Sequence, residues 1–264
     1  MSESIWKDDV KDVLFGEMPV CVVPGDPMPW STRLSSDLLA ISGPYRSADE
    51  HEQHLLETSG AGSWVDDGND ELRFSLDTGE LVSVWLAVPG SVAPDSADLG
   101  AWLRAGRVEG RPAVMPGTYF DLPPASVRWC DGSGSVLVCL TEEGFSGDAA
   151  VRSRLRIAHD LDLLIADGRY MGWLLEHPAT RLSDSWAGGP DSPEDPELGA
   201  WLARYIALSD DDVFDAIVDG DPTPLEPLRE LLADVRTVGG DRPRRRIFRD
   251  ALDDVIDRHT GFHG

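Results

Sequence analysis

The sequence predicts an α+β protein whose antiparallel sheet is built from β-hairpins and whose C-terminal end is entirely helical. Between residues 71 and 182, apolar and polar residues alternate on both sides of Asp- and Gly-containing turns, as hairpin strands require. After residue 197, apolar residues instead recur every three or four positions, which is the period of an amphipathic helix. The chain of 264 residues is long enough to bury a substantial core.

The N-terminal part is expected to begin with a short amphipathic helix. Apolar residues from Trp6 to Leu14 recur at helical spacing, and Gly16 follows as a helix stop. A brief strand at 20–23 comes next, and the Pro-rich stretch 24–30 is typical of a turn.

Two further helices are predicted from capping patterns. Ser47 and Glu50 have the spacing of a capping box, so a helix should begin there and run to about Thr58, before two glycines stop it. Ser96 is expected to cap the other helix, whose apolar face comes from residues 99–103.

Three hairpins account for the predicted sheet. In each, two apolar strands flank a turn that contains Asp, and the three turns have unequal spacing along the chain, so we do not interpret them as a sequence repeat. The predicted strand pairs are 72–76 with 82–86, 127–129 with 136–140, and 155–165 with 170–177.

Four amphipathic helices are predicted after the hairpins, with apolar stripes at 198–206, 213–218, 228–235 and 247–256. Thr223 and Glu226 have capping-box spacing for the third of these helices. The only basic cluster, at 242–246, precedes the last stripe, where the helix dipole disfavours positive charge. We expect acidic residues four positions apart to offset it, and contact with a small anion or a partner is the alternative.

The chain is expected to divide into a mixed α+β domain at 1–183, an acidic loop or linker at 184–197 and a helical subdomain at 198–264. The middle segment is rich in Pro, Gly and acidic residues and has no periodicity, which is typical of a linker. The pattern leaves open whether the C-terminal helices form a separate domain.

The charge of the chain excludes some partners. Lys and Arg total 23 and Asp and Glu total 48, which gives a net charge of -25. Such a charge repels phosphate backbones and anionic lipid heads, so we expect neither nucleic acid nor a membrane surface as a partner. It either serves solubility alone or attracts a basic protein.

The cysteines and the terminus point to a cytoplasmic protein. Cys21, Cys130 and Cys139 are odd in number and lack the spacing of a zinc or redox site, so reduced thiols are expected. The first ten residues are acidic rather than a basic start to a signal peptide, and no run of about 18 apolar residues occurs. The preference for Arg over Lys fits a GC-rich, bacterial genome.

One segment, 144–165, carries residues suited to metal chemistry. A Gly-x-Ser turn ending at Ser146 precedes Asp160 and Asp162, whose side chains would share one face of a strand. This arrangement resembles the signature of minimal nucleotidyltransferases, although Phe145 separates the Gly and Ser that are adjacent in that family. The resemblance implies that the two carboxylates hold magnesium and that Ser146 meets nucleotide phosphates, with Glu176 as a conceivable third carboxylate.

A structural interpretation explains the same segment without a metal. The apolar residues from Leu155 to Ile165 would point to one side of a half-buried strand, and Arg154, Arg156, Asp160 and Asp162 would form its polar face. We favour this interpretation, under which exchanging both aspartates for Asn has little effect on stability.

Histidines offer only weak alternatives, and we assign no metal ligand. His51 and His54 are three positions apart rather than the four of a zinc helix, and His159 and His177 could face each other across the third hairpin. The chain contains no Gly-x-Ser-x-Gly, no P-loop and no dinucleotide-binding fingerprint.

The leading functional hypothesis is therefore a non-catalytic, acidic protein-binding protein, such as an inhibitor or immunity-type protein that masks a basic partner, with no cofactor. Nine Trp residues suit a protein interface, and Trp30, Trp64 and Trp186 lie in predicted loops where they could serve as anchors. A magnesium-dependent enzyme using Asp160 and Asp162 is the main alternative. A structural or assembly component is a third, and the oligomeric state is left open.

Overall fold

The strands and helices of the protein are taken from a computed structural model. It describes residues 11–36, 38–61, 70–94, 99–146, 149, 151–186, 188–189, 193–219, 221, 223–238 and 242–260. The strands are β1 (Lys11–Phe15), β2 (Met18–Val23), β3 (Arg33–Ser35), β4 (Leu39–Ser42), β5 (Thr58–Ala61), β6 (Glu71–Ser75), β7 (Leu81–Ala87), β8 (Gly106–Glu109), β9 (Arg111–Ala113), β10 (Tyr119–Phe120), β11 (Val127–Cys130), β12 (Val136–Leu140), β13 (Arg152–Ala158), β14 (Leu161–Ala166), β15 (Arg169–Glu176) and β16 (Leu182–Ser183).

The helices are α1 (Ala48–Leu56), α2 (Gly100–Arg104), α3 (Glu142–Ser146), α4 (Pro196–Leu208), α5 (Asp211–Val218), α6 (Leu225–Thr237) and α7 (Pro243–Thr260), and a 3-10 helix spans Pro178–Arg181. Mixed α+β structure with a helical C-terminal region is thus confirmed.

The strands form two mostly antiparallel sheets rather than the single sheet that the hairpins suggested. Within the described residues, the first sheet has nine strands in the order β8-β13-β14-β15-β1-β2-β9, with β12 also paired to β15 and β11 to β12. The second has the order β10-β5-β6-β7-β4-β3-β16. The hairpins β6/β7 and β11/β12 are as predicted, but they belong to different sheets, a division that depends on long-range pairing.

The two faces of the first sheet pack against different apolar groups. Leu161, Leu163 and Ile165 of β14 belong to a large cluster that also contains residues of the second sheet and of α4, α6 and α7. The alternate residues Leu164 and Ala166 belong to a second cluster, together with residues of α2. Every residue of β14 is consequently buried.

The predicted N-terminal helix is wrong for its described part, and its remainder lies outside the described residues. Residues 11–15 form strand β1, which pairs with β2 so that Val13 lies opposite Val20. Gly16 adopts a φ of +61° in the tight turn between them, a conformation that glycine allows. Val13 and Phe15 are two positions apart and both buried, as on one face of a strand. The apolar residues of this segment also fit helical spacing, and it is the pairing with β2 that makes the segment a strand.

Helix α1 begins as predicted. The Ser47 hydroxyl accepts a hydrogen bond from Glu50 N at 3.2 Å, and the Glu50 carboxylate accepts one from Arg46 N at 2.6 Å. The helix ends at Leu56, and β5 follows it, so Gly60 lies in a strand instead of serving as a helix stop. A Cβ at Gly60 would approach Leu72 O to 2.0 Å, which explains the glycine at this pairing.

The third predicted hairpin is a three-stranded meander. The stretch 155–165, predicted as one strand, is divided into β13 and β14 by a turn at His159–Asp160. The register between β13 and β14 shifts at Arg156–Ala158, and Arg156 then lies opposite Asp162. The apolar alternation continues through this turn, which is why the sequence pattern did not show it.

The C-terminal helices match their predicted stripes except at Val218 of α5, which is 71% exposed. Helix α6 follows Pro224, and Thr223 makes no side-chain cap. In α7, Arg249 pairs with Asp250 at 2.8 Å, while Asp253 pairs with Arg236 of α6 at 2.7 Å. Helix α6 therefore lies close enough to α7 to pair with one of its aspartates.

The boundary at 184–197 remains a prediction, and the structure describes how part of this segment is held. Asp195 caps α4 by accepting from Leu198 N, and its carboxylate pairs with Arg245 of α7 at 2.5 Å. The hydrogen bond from Arg245 outweighs the smaller effect of burial and holds the pKa of Asp195 at about 2. Ser96, the predicted cap of α2, lies outside the described residues.

The apolar stripe of α7 gives a first prediction. Phe248 and Leu252 are 3% and 1% exposed, so changing either to Ala should lower the free energy of unfolding by about 2 to 5 kcal/mol through cavity formation. Urea denaturation measures this, with Val238→Ala at a 45% exposed position as the control, expected within about 0.5 kcal/mol of wild type. Equal stability of all three variants would show that the stripe is not core.

A buried carboxylate gives a second prediction. Burial raises the pKa of Asp70 to about 7, although backbone N–H groups of Ala87 and Ala125 oppose this. The Asp70 carboxyl group therefore holds its proton more tightly in the folded protein than in the unfolded chain. Protonation of Asp70 contributes fully to the free energy of unfolding below about pH 4, and this contribution is lost as the pH rises through about 7.

Asp70→Asn should abolish that decline, so the free energy of unfolding of the variant relative to wild type should increase between pH 4.5 and 7.5. His51 acts in the opposite sense in this range, because burial lowers its pKa to about 4, and taking the difference between the two proteins cancels its contribution. A difference that is constant across the range would contradict the assignment.

Candidate functional site

The predicted carboxylates lie at the end of the first sheet where β14 starts and β15 ends. Asp162 is the second residue of β14, Glu176 is the last residue of β15, and Asp160 lies in the turn before β14. Glu176 N donates to Asp160 O at 2.9 Å, which fixes this turn beside the end of β15. Ser146 is the last residue of α3, and its side chain lies outside the description.

Arginines occupy the space between Asp162 and Glu176. Arg154 donates from Nε to Asp162 at 2.6 Å and from Nη2 to Glu176 at 2.6 Å. Arg156 pairs with Asp162 and donates from Nη2 to Glu176 at 2.7 Å. Arg107 of β8 also pairs with Glu176, and its Nε lies 3.5 Å from Asp162. We call these five residues the arginine–carboxylate cluster.

The electrostatics of the cluster follow from this geometry. Burial raises the pKa of Glu176, but hydrogen bonds from Arg156 and Arg154 outweigh it and hold that pKa at about 2. For Arg156, burial is again opposed by hydrogen bonds to the two carboxylates, and its pKa is raised. Glu176 and Arg156 are therefore charged at neutral pH, and each carboxylate of the cluster has arginine partners.

Asp160 is held separately from the cluster. Its carboxylate pairs with Arg181 of the 3-10 helix and accepts from Nδ1 of His159 at 2.6 Å. The two aspartates thus bind different arginines, although they are only two positions apart in the chain.

The prediction of a half-exposed polar face is wrong for these residues. Asp160 is 4% exposed and Asp162 is 0% exposed. The polar side of the meander is covered because β8 pairs with β13 in parallel and brings Arg107 over it, while α2 packs against β13 nearby. No sequence pattern predicted β8, whose four residues are all exposed.

The donor atoms at this position fit arginine better than magnesium. Mg²⁺ takes oxygen ligands in a near-octahedral arrangement. The oxygens of Asp162 and Glu176 already accept hydrogen bonds from guanidinium groups, and Asp160 is paired with Arg181. In the part of the chain that the structure describes, no three His, Cys, Asp or Glu side chains are grouped to hold a metal. We derive no metal-dependent step here.

The histidines named from the sequence have other partners. His51 packs against Tyr45 and Trp85 with ring centroids 4.6 Å and 4.7 Å away, and His54 Nε2 lies 2.8 Å from Ser83 Oγ. His177 pairs with Glu194 at 3.3 Å, and His159 pairs with Asp160 at 2.6 Å, so each of the two has a carboxylate partner. These contacts assign the histidines to packing and local ion pairs.

The three proposed anchor tryptophans have different environments. Trp30 is 37% exposed in the loop before β3. Trp186 is partly buried against Tyr45 and Trp85, with ring centroids 6.1 Å and 5.6 Å away. Trp64 lies outside the described residues. Trp30 is therefore the described anchor candidate with the most accessible ring.

A groove of about 720 Å³ lies beside Trp30. Its apolar lining includes Leu56 and Leu76, which are 76% and 41% exposed although large apolar side chains favour burial. Glu57 and Asp77 also line it and are exposed to solvent, and Arg111, which lines it as well, pairs with Glu80 at 2.9 Å. We call this feature the Trp30 groove. Sequence analysis missed it because Leu76 fitted the predicted strand and Leu56 the predicted helix.

The chain was compared with protein families and with curated proteins. No protein-family model matches the chain, and a search of curated proteins found no relative. Among the described residues, no helix is both long and apolar enough to cross a membrane.

The arginine–carboxylate cluster gives a third prediction. Asp162→Asn removes the charge that balances Arg154 and Arg156 at a fully buried position, so it should lower the free energy of unfolding by about 3 to 5 kcal/mol. The sequence pattern, in contrast, predicts little loss of stability when Asp160 and Asp162 are exchanged for Asn. The matched control is Asp234→Asn. The Asp234 side chain is 56% exposed and pairs with Arg204, so this substitution should lower the free energy of unfolding by less than about 1 kcal/mol.

Urea denaturation in magnesium-free buffer distinguishes the two interpretations. If Asp162→Asn were as stable as the control there, and wild type gained stability on adding magnesium, the carboxylates would be metal ligands and not partners of arginine.

Proposed function

We propose that the chain is a non-catalytic, acidic protein-binding protein that masks a basic partner, in the manner of an inhibitor or immunity-type protein. The observation that carries this proposal is the Trp30 groove, where exposed apolar side chains lie beside carboxylates. Such a combination suits a partner that presents apolar anchors among Lys and Arg side chains.

The apolar residues of the groove supply binding free energy. Leu56, Leu76 and part of Trp30 are in contact with water in the free protein. Their burial against a partner would contribute about 25 cal/mol per Å² of apolar surface removed from water. Trp is also enriched among interface residues whose truncation weakens binding most.

Negative charge supplies steering. Glu57 and Asp77 line the groove, and Glu52 and Asp49 are exposed on α1, whose C-terminal end contributes Leu56 and borders the groove. Many arginines are engaged in ion pairs within the protein, as Arg154 and Arg156 are, so they do little to offset acidic charge at the surface. A net charge of -25 therefore accelerates encounter with a positive surface, and salt screens that attraction over about 10 Å at 0.1 M.

The alternative function, a magnesium-dependent nucleotidyltransferase-like enzyme, has less support. It depends on the resemblance of segment 144–165 and requires Asp162 to exchange Arg154 and Arg156 for a cation. The geometry favours the binding protein because the Trp30 groove needs no such rearrangement.

The fourth prediction tests the groove. Partners captured from a lysate of the source cell at low salt should be basic, and association of the best one should slow as salt is raised. Glu57→Gln combined with Asp77→Asn should slow association further, because both carboxylates face the groove. Leu56→Ala should mainly accelerate dissociation and weaken the Kd by about tenfold, a change of about 1.4 kcal/mol.

Matched controls separate the groove from overall charge. Glu226→Gln combined with Asp250→Asn removes the same two charges at exposed positions of α6 and α7. Val218→Ala truncates a 71% exposed apolar residue on α5. Binding that is equally sensitive to the control and groove variants, partners that are neutral or acidic, or association indifferent to salt would each contradict the proposal.

A further inference from the structure

A second cavity, of about 400 Å³, shares Pro29, Trp30 and Pro44 with the Trp30 groove but has the opposite charge. Four arginines line it, Arg33, Arg46, Arg181 and Arg244, and no Asp or Glu is among the described residues that do so. We infer that this arginine cavity binds a phosphate ester of a small molecule that carries a planar ring. The inference is independent of the protein-binding function proposed above.

The strongest support comes from Arg33, which is only 9% exposed. Its Nη1 donates to Tyr45 O at 3.2 Å, whereas its Nη2 has no hydrogen-bond acceptor among the described residues. No described carboxylate lies within ion-pair distance of it. A buried guanidinium without a counter-charge is unfavourable, and burial accordingly lowers the pKa of Arg33. An anion in the cavity would supply the missing charge, and it would supply an acceptor once the enclosed Nη2 turns toward it.

The residue before Arg33 in the chain also lines the cavity and carries a neutral donor. Thr32 is 2% exposed, and its hydroxyl has no partner within the described part of the chain. Buried hydroxyl groups are normally hydrogen-bonded, so Thr32 and Arg33, which both line the cavity, each carry an enclosed donor that has no partner among the described residues. Phosphate oxygens accept from both hydroxyl and guanidinium groups.

The remaining arginines add positive charge across the cavity. Arg181 binds Asp160, while its Nε makes no hydrogen bond to any described residue. Burial, and then repulsion from Arg244, lower the pKa of Arg181, so these two guanidinium groups are close enough to oppose each other. Arg46 is exposed and forms no ion pair with a described residue, so it is accessible from solvent. An anion entering the cavity would be attracted by this positive charge.

The aromatic residues of the cavity indicate the rest of the ligand. Trp30, Tyr45 and Trp186 line it together with the arginines. Trp30 is partly exposed, and aromatic side chains of this kind stack on planar rings. A volume of about 400 Å³ lies within the roughly 300 to 1,000 Å³ of small-molecule sites, which leaves room for a ring as well as a phosphate.

The fifth prediction is that the full chain binds phenyl phosphate more tightly than inorganic phosphate, and either more tightly than benzoate, in isothermal titration calorimetry. Phenyl phosphate presents both the dianion and the ring, and benzoate presents the ring with a single charge. Arg33→Gln should weaken binding of phenyl phosphate by about 10- to 100-fold, as expected for the loss of one charge-assisted hydrogen bond. The control Arg229→Gln, on α6 and paired with Glu226, should leave the Kd unchanged.

Two milder variants keep the test decisive if Arg33→Gln fails to fold. Thr32→Val preserves shape and removes only the hydroxyl, and Arg46→Gln alters an exposed side chain, so both should fold and both should weaken binding by several-fold or more. Absence of heat and of a thermal shift with 10 mM phenyl phosphate would overturn the inference. So would benzoate binding as tightly as phenyl phosphate, or an affinity that is the same in Thr32→Val, Arg46→Gln and the control.

The test distinguishes this inference from the proposed function. Glu57→Gln with Asp77→Asn alters the Trp30 groove alone, and it should leave binding of phenyl phosphate unchanged. Loss of partner binding with intact phosphate binding would therefore discredit only the protein-binding proposal, and the reverse result only the arginine cavity.

Discussion

The burial of both faces of the first sheet is the constraint on which the rest of the structure depends. Strand β14 is buried along its whole length, and β15 is buried except at its ends. A charged side chain on such a strand must have a partner, because an isolated charge away from water is strongly unfavourable. The arginine–carboxylate cluster meets this requirement, since Asp162 and Glu176 are paired with arginines from β13 and β8. Because the sheet is buried on both faces, the carboxylates at its end must be paired with arginines.

The same requirement explains how positive charge is distributed. Arg154, Arg156 and Arg245 are used inside the protein, where each pairs with a carboxylate, while exposed acidic groups such as Asp212, Asp215 and Glu52 remain at the surface. An excess of acidic residues in the sequence therefore becomes an excess of negative charge outside. The arginine cavity departs from this arrangement because four arginines line it, no described Asp or Glu does, and Arg33 has no ion pair with a described carboxylate. That departure is the physical reason for assigning it a ligand.

The loop that contains Trp30 connects the two cavities to both sheets. Met28 N donates to Ile157 O of β13 at 2.7 Å, and Trp30 O accepts from Ser42 Oγ of β4 at 3.2 Å. The loop is therefore held between β13 of the first sheet and β4 of the second, with Trp30 between an acidic groove and a basic cavity. Trp30 is thus a lining residue that the two cavities share, while their charged residues differ.

Local patterns were sufficient to predict the fold class, two hairpins, the helix capped by Ser47 and the four C-terminal stripes, because each depends on residues close together in the chain. They also indicated which residues of β14 face the core. Long-range pairing decided the remainder. The apolar pattern of residues 11–15 is compatible with a helix or a strand, and the pairing with β2 makes it a strand. Asp162 resembles a metal ligand in the sequence, but in the structure arginines, including Arg107 of β8, are its partners. The arginine cavity draws on residues from 29 to 244, whose proximity no local pattern encodes. Sequence by itself thus determined the elements and the overall charge, whereas the tertiary structure decided which charges neutralise each other and which are left to bind something else.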